Sequence, residues 1–102
     1  MVDLSQLPDD AVLIDVREPD EWAAGRAPSA VHLPMGDVPG RLDELPPEGT
    51  LYVICRSGGR SARVTAFLNT NGWDAKNVAD GMLGWQAAGR PLVADAGQPQ
   101  VI

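Results

Sequence analysis

Residues 50–61 read TLYVICRSGGRS, and the character of the chain changes inside them. From Leu51 to Cys55 the run is continuously apolar, with an aromatic and β-branched residues, as in a parallel strand covered on both faces. After Cys55 come Arg56, Ser57, Gly58, Gly59, Arg60 and Ser61. Cys55 is the only cysteine in the chain. A structural cysteine has apolar neighbours on both sides; this one closes a strand and opens a polar, glycine-rich loop.

Reading outward, strands and helices alternate. AVLIDV (11–16) is a short apolar run ending at an acid, a buried-strand signal. EPDEWAAG (18–25) has Pro19 early, acids in its first turn and Gly25 at its end, the punctuation of a short helix. AVHLP (30–34) predicts a second strand stopped by Pro34, and Val38 to Leu45 a helical turn closed by Pro46-Pro47. Residues 60–72 predict a helix with Ser61 as candidate N-cap and Gly72 as stop, although Ala62, Ala66 and Phe67 fit one face only loosely. A strand around Lys76 to Ala79 and a last helix over 81–89, carrying Met82, Leu83 and Trp85, complete the series. The tail after residue 93 carries no pattern. Such alternation predicts one α/β domain, a small, open, mostly parallel sheet with helices on both faces.

Composition narrows the function. At 102 residues and 44% hydrophobic, the chain fits one domain with one core. MVDLSQLPDD has no basic n-region and no apolar h-region, and no apolar run reaches membrane-spanning length. A single cysteine fits a reducing cytoplasm, and one Cys with one His is too little for a metal site. Net charge is −6, with eleven acids against three arginines before residue 51 and three acids against five bases after it. Nucleic-acid binding, which needs a basic face, is disfavoured. The positive excess lies in the half that holds Cys55.

In open parallel sheets, ligands sit beyond the carboxyl ends of strands, facing helix N-termini. Gly58 and Gly59 let successive N–H groups turn inward as an anion-binding nest, and Arg56 and Arg60 stand close by. All of these lower a thiol's pKa, and the thiolate is the nucleophile. The competing reading is an inert strand-end cysteine whose glycines only turn the chain. A nucleotide P-loop is excluded, because no G-K-[ST] follows the glycines. The phosphatase cradle places five residues between Cys and Arg; here only Arg56 to Gly59 intervene. The tighter ring suits one sulfur atom better than a phosphoryl group.

CRSGGRS after an apolar strand resembles the active-site loop of the rhodanese family of sulfurtransferases. LIDVREPDEWAAGRAPSAVHLP (13–34) is similar to that family's N-terminal motif, and DGMLGWQAAGRPLV (80–93) to its C-terminal one. The three run in family order over a matched core of about residues 11–93, leaving 94–102 as a tail. The chain departs at Gly25-Arg26-Ala27, where Gly-His-Ile is common, and at Asp80-Gly81, where Gly-Gly is common.

The resemblance implies a small parallel sheet flanked by helices and needs no cofactor or metal. It makes Cys55 the catalytic nucleophile, attacking the outer sulfur of a small anionic donor and holding a persulfide. Arg56, Ser57, Gly58, Gly59, Arg60 and Ser61 would bind substrate, their backbone N–H groups stabilising the persulfide. A thiol or a protein would accept the sulfur in cells, cyanide in assays. Arg56 in place of a glycine directly after the cysteine favours thiosulfate or persulfide donors over mercaptopyruvate. The alternative is a non-turnover relay or docking module acting with a partner protein; a phosphatase or arsenate reductase fits less well. Asp15 and Arg17 read as a strand-end hydrogen-bonded pair. His32 reads as a core or rim residue, and Trp22, Trp73 and Trp85 as packing residues, with Trp22 or Trp85 at the cleft border.

Overall fold

The computed structural model describes residues 1–102. Its centre is a four-stranded, all-parallel sheet of β1 (Val12–Asp15), β2 (Val31–His32), β3 (Thr50–Ile54) and β4 (Asp74–Asn77), in the order β2-β1-β3-β4. Three α-helices connect and follow the strands: α1 (Pro19–Ala24), α2 (Gly59–Thr70) and α3 (Gly81–Ala87). The chain leaves β1 toward β2 on one side and returns with β3 on the other. The topological switch therefore lies between β1 and β3, where a crevice opens at the strand ends. Asp15 and Ile54 pair across it, and Cys55 is the next residue.

Burial follows the period-2 alternation of the strands. Ile14, Val16, Leu51, Val53 and Cys55 point to one face, packed with Val64 and Leu68 of α2. Leu13 and Ile54 belong to the opposite face, with Met82 and Trp85 of α3 and with Leu4. Both faces are covered, which is why β1 and β3 read as unbroken apolar runs.

Several boundaries differ from the sequence expectation, each for a physical reason. α2 starts at Gly59 with Gly58 as its N-cap, so Ser61 is not the cap but a buried residue of the first turn. β4 runs over 74–77 rather than 76–79, because it is an outer strand whose Asp74 and Lys76 face solvent while Ala75 and Asn77 are buried. Its apolar signal is thus halved. Val2 forms a bridge with Val78 just beyond it, which the sequence did not announce. The turn over 38–45 becomes two 3₁₀ turns, Met35–Gly40 and Leu42–Glu44, since Pro39 cannot supply the N–H a continuous α-helix needs. The tail packs back: Arg26 and Val93 pair antiparallel, and Gln100 N–H donates to Ala24 O at 3.0 Å.

The expected pair at the end of β1 is fully buried. Arg17 Nη2 lies 2.8 Å from Asp15 Oδ2, and both side chains are 0% exposed. Arg17 Nε also donates to Asp15 Oδ1 at 3.0 Å, and Nη2 and Nη1 reach Gly25 O and Glu21 O of the α1 segment. Removing one partner of a buried pair leaves the other charge uncompensated, at about 3–5 kcal/mol. Arg17→Met should therefore destabilise the fold by about that much, with Asp15 left behind. Asp15→Leu/Arg17→Met should recover much of the loss. Chemical denaturation of both variants checks this: a single variant as stable as wild type would show that the pair does not hold the fold.

Candidate active site

The loop after β3 is built by hydrogen-bond accounting on its two sides. On the outer side, α3 turns its first N–H groups onto the loop's carbonyls: Met82 N–H donates to Cys55 O at 2.8 Å and Leu83 N–H to Arg56 O at 3.0 Å. With the carbonyls thus taken, the following N–H groups face the sulfur. Gly58 N–H donates to Cys55 Sγ at 3.1 Å, and the Ser61 hydroxyl lies 3.2 Å from the same atom. Two glycines make this possible. Gly58 has φ +99°, and a Cβ there would stand 2.6 Å from Ala79 O. Gly81 has φ +64°, and a Cβ would stand 2.4 Å from Arg56 O and 2.9 Å from Cys55 O. A side chain at either position would push the loop off its support.

Cys55 itself is 1% exposed. Burial pushes its thiol up; the Ser61 hydroxyl and the N–H groups of Ser61, Gly58 and Ser57 pull it down. The hydrogen bonds prevail, and the thiol lies below its ordinary value. The arginines enter differently from the sequence expectation. Arg60 turns away to α1, where its Nη1 and Nη2 bind Glu21 Oε1 and Oε2 at 2.7 and 2.9 Å. That bidentate pair holds the Glu21 carboxyl below its usual value against the opposing effect of burial. Arg56 is exposed, and its Nε donates to Ile102 O at 3.0 Å. Lowering of the Cys55 thiol is thus the work of hydrogen bonds, not of direct contact with either guanidinium.

The remaining candidates fall outside the sulfur's contacts. His32 Nε2 lies 2.8 Å from Arg17 O, and its ring stacks on Trp22 at 4.6 Å. Trp85 packs in the α3-side core with its Nε1 on Pro91 O, on the face opposite to Cys55. Trp73 Nε1 donates to Pro46 O. An apolar groove lined by Met35, Val38, Pro39, Arg63, Val64 and Phe67 runs beside α2 and includes no loop residue.

Two residues that sequence reading passed over are brought to the site. Glu21 supplies the partner of Arg60, from 39 positions away. Asn77, at the end of β4, is 6% exposed and accepts from Ser61 Oγ. A polar residue at an inward strand position was the available signal for Asn77. Nothing in sequence distance pointed to Glu21.

The model of the Rhodanese-like domain matches residues 2–88. Bacillus subtilis (strain 168) YtwF is 43% identical over 79 residues, covering 78% of this chain and 77% of its own. A protein of Allochromatium vinosum named a sulfurtransferase is 38% identical over 90 residues, 87% of this chain and 84% of that one. Among solved structures, a rhodanese-related protein from Thermoplasma volcanium superposes with a TM-score of 0.78 at 30% identity. It covers 81% of this chain and 83% of that one.

Alkylation by iodoacetamide reports the thiolate, so its rate should rise with pH through the folded pKa of Cys55. The midpoint should lie below about 8.5, the free-cysteine value. Ser61→Ala, which deletes a donor to Sγ, should raise the midpoint, and Arg60→Ala should move it less. A midpoint that follows Arg60 rather than Ser61 would contradict the hydrogen-bond account.

Proposed function

The chain belongs to the rhodanese-like domain family, whose relatives include sulfurtransferases, and from that premise we propose that it moves a sulfane sulfur through a persulfide on Cys55. The donor is a small sulfur anion, thiosulfate or a persulfide, and the acceptor a thiol or protein, with cyanide standing in for it in assays. The observation that carries this reading is Cys55 Sγ at the end of β3, receiving Gly58 N–H and the Ser61 hydroxyl.

The chemistry follows from that geometry. The Cys55 thiolate attacks the outer sulfur of thiosulfate. A new S–S bond forms, the S–S bond of the donor breaks, and sulfite departs with the electron pair. The product is Cys55–S–S⁻, and charge is conserved: a thiolate of minus one and a donor of minus two become a persulfide of minus one and a sulfite of minus two. An acceptor thiophile then attacks the outer sulfur and releases the Cys55 thiolate; with cyanide the product is thiocyanate. N–H groups of residues 57–61 stabilise the anion at both stages, as an oxyanion hole stabilises oxygen. Arg56, exposed beside the loop, draws the dianionic donor by its charge. Arg60 contributes chiefly by fixing the loop to α1 through Glu21.

No helix is long and apolar enough to cross a membrane. A lone, free cysteine as the working nucleophile suits a reducing compartment such as the cytoplasm.

Thiocyanate production from thiosulfate and cyanide tests the reading, with intact-protein mass spectrometry of Cys55 after donor alone. Wild type should gain the mass of one sulfur atom and turn over. Cys55→Ser should keep the melting temperature within a few degrees and lose turnover to background. Retained turnover in Cys55→Ser would refute the mechanism. A persulfide that forms without turnover would instead favour a relay that needs a partner protein.

A further inference from the structure

Asn77 stands outside the loop, yet its side chain touches the sulfur site twice. Its Oδ1 accepts from Ser61 Oγ at 2.5 Å, and its Nδ2 donates to Gly58 O at 3.2 Å. Ser61 Oγ and Gly58 N–H both lie within hydrogen-bond reach of Cys55 Sγ. The amide's orientation is dictated by its partners, since Gly58 O can only accept and so requires the NH₂ group on its side. Oδ1 is left for Ser61.

A serine hydroxyl carries one hydrogen. Cys55 Sγ and Asn77 Oδ1 both lie within reach of Ser61 Oγ, so only one of them receives it at a time. While Cys55 is a thiol, its own S–H donates to Ser61 Oγ, Ser61 donates to Asn77 Oδ1, and every group is satisfied. A thiolate or a persulfide anion has no hydrogen to give and only accepts. To serve it, the hydroxyl must leave Asn77 Oδ1, and a buried amide oxygen is then unpaired, an unfavourable state.

We propose that Asn77 is a positioning residue of the sulfur site, holding the Ser61 hydroxyl in a two-position switch between its own Oδ1 and Cys55 Sγ. The inference rests on Cys55 being the sulfur-carrying nucleophile. Asn77 competes with the charged sulfur for one hydrogen and so keeps the anion from being stabilised to the point of inertness. Its other contact is replaceable: Gly58 O also accepts from Ala62 N–H at 3.1 Å, which keeps the loop anchored when the amide is removed.

The charged groups around this network are engaged with others or exposed, as Arg63 of α2 is. From the loop and α2, Arg60 binds Glu21 of α1, whose N-cap is Glu18, and Arg56 reaches Ile102 O. At the end of β1, Asp15 and Arg17 bind each other. On β4, Asp74 accepts from Thr50 and Lys76 is exposed; ahead of α3, Asp80 accepts from Leu4 N–H. None of them makes a hydrogen bond to Cys55 Sγ, so a change at Asn77 reads through Ser61 or Gly58, and the Ser61→Ala background separates the two.

The test is the pH dependence of iodoacetamide alkylation at Cys55 in wild type, Asn77→Leu, Asn77→Asp, Ser61→Ala and Asn77→Leu/Ser61→Ala. Leucine is close in shape and accepts nothing, so the hydroxyl turns to sulfur. The midpoint should fall by about half a pH unit or more, a roughly threefold change in the thiolate equilibrium. Asn77→Asp should raise it, because a carboxylate holds the hydroxyl harder and repels the thiolate. Simple loosening of the site would move both variants the same way. In the Ser61→Ala background, the leucine substitution should leave the midpoint unmoved. A midpoint in Asn77→Leu at or above wild type overturns the proposal, as does an equal fall with Ser61 absent. If Asn77→Leu does not fold, Asn77→Ala makes the same comparison. Alkylation needs no sulfur donor, so this result stands apart from the thiocyanate assay: transfer by wild type with an unshifted Asn77→Leu midpoint removes the switch and leaves the transfer reading in place.

Discussion

The ion pair of Asp15 and Arg17 is the constraint on which the rest of the site depends. Arg17 is a full-length charged side chain with no exposure, a costly thing to bury unless each of its nitrogens is paired. It meets that condition by binding Asp15 and by reaching the carbonyls of Glu21 and Gly25. The consequence is positional. α1 is fixed to the carboxyl end of β1, and with it Glu21, which receives Arg60 from the loop. His32 adds to the same corner through Arg17 O and its stack on Trp22. A buried charge that does not touch the sulfur thus sets where the loop's own arginine goes.

The loop obeys a second constraint, that backbone groups in a buried setting must be paired. α3 satisfies the outward carbonyls of Cys55 and Arg56, while N–H groups behind them face the sulfur. The same helix therefore packs the lower core through Met82 and Trp85 and orients the loop through its first turn. Gly81 joins the two roles, because a side chain there would collide with the loop's backbone. Its neighbour Asp80 accepts from Leu4 N–H, tying the N-terminal segment to the same corner.

Electrostatics in this site are local. A chain with net charge −6 holds a cysteine whose thiol lies below its ordinary value. Distant surface charges are screened within about 8–10 Å at ordinary ionic strength. Donors near 3 Å from sulfur are not, and they outweigh both the burial of the thiol and the acidity of the surface. Arg60, neutralised by Glu21, is better described as a fastening of the loop than as a charge aimed at sulfur.

Much of this molecule was determined by the sequence itself. Apolar runs at 11–16 and 50–55 dictate strands covered on both faces, and alternation with helices dictates a parallel sheet. The position of Cys55 at the end of the better run, followed by glycines, placed the loop at the carboxyl end of a strand in that sheet. These features are local in the chain, so they can be read from it. β4 was displaced by two residues because an outer strand with polar alternate positions carries half the signal. Only tertiary structure decided which groups face the sulfur. Arg60 reads as a charge for the substrate until α1 brings Glu21 across 39 residues to take it. Asn77 and Ser61 are 16 residues apart and meet because β4 lies beside β3 and α2 packs against both. Hydrogen bonds of that kind depend on register and packing, which no residue's own preference encodes.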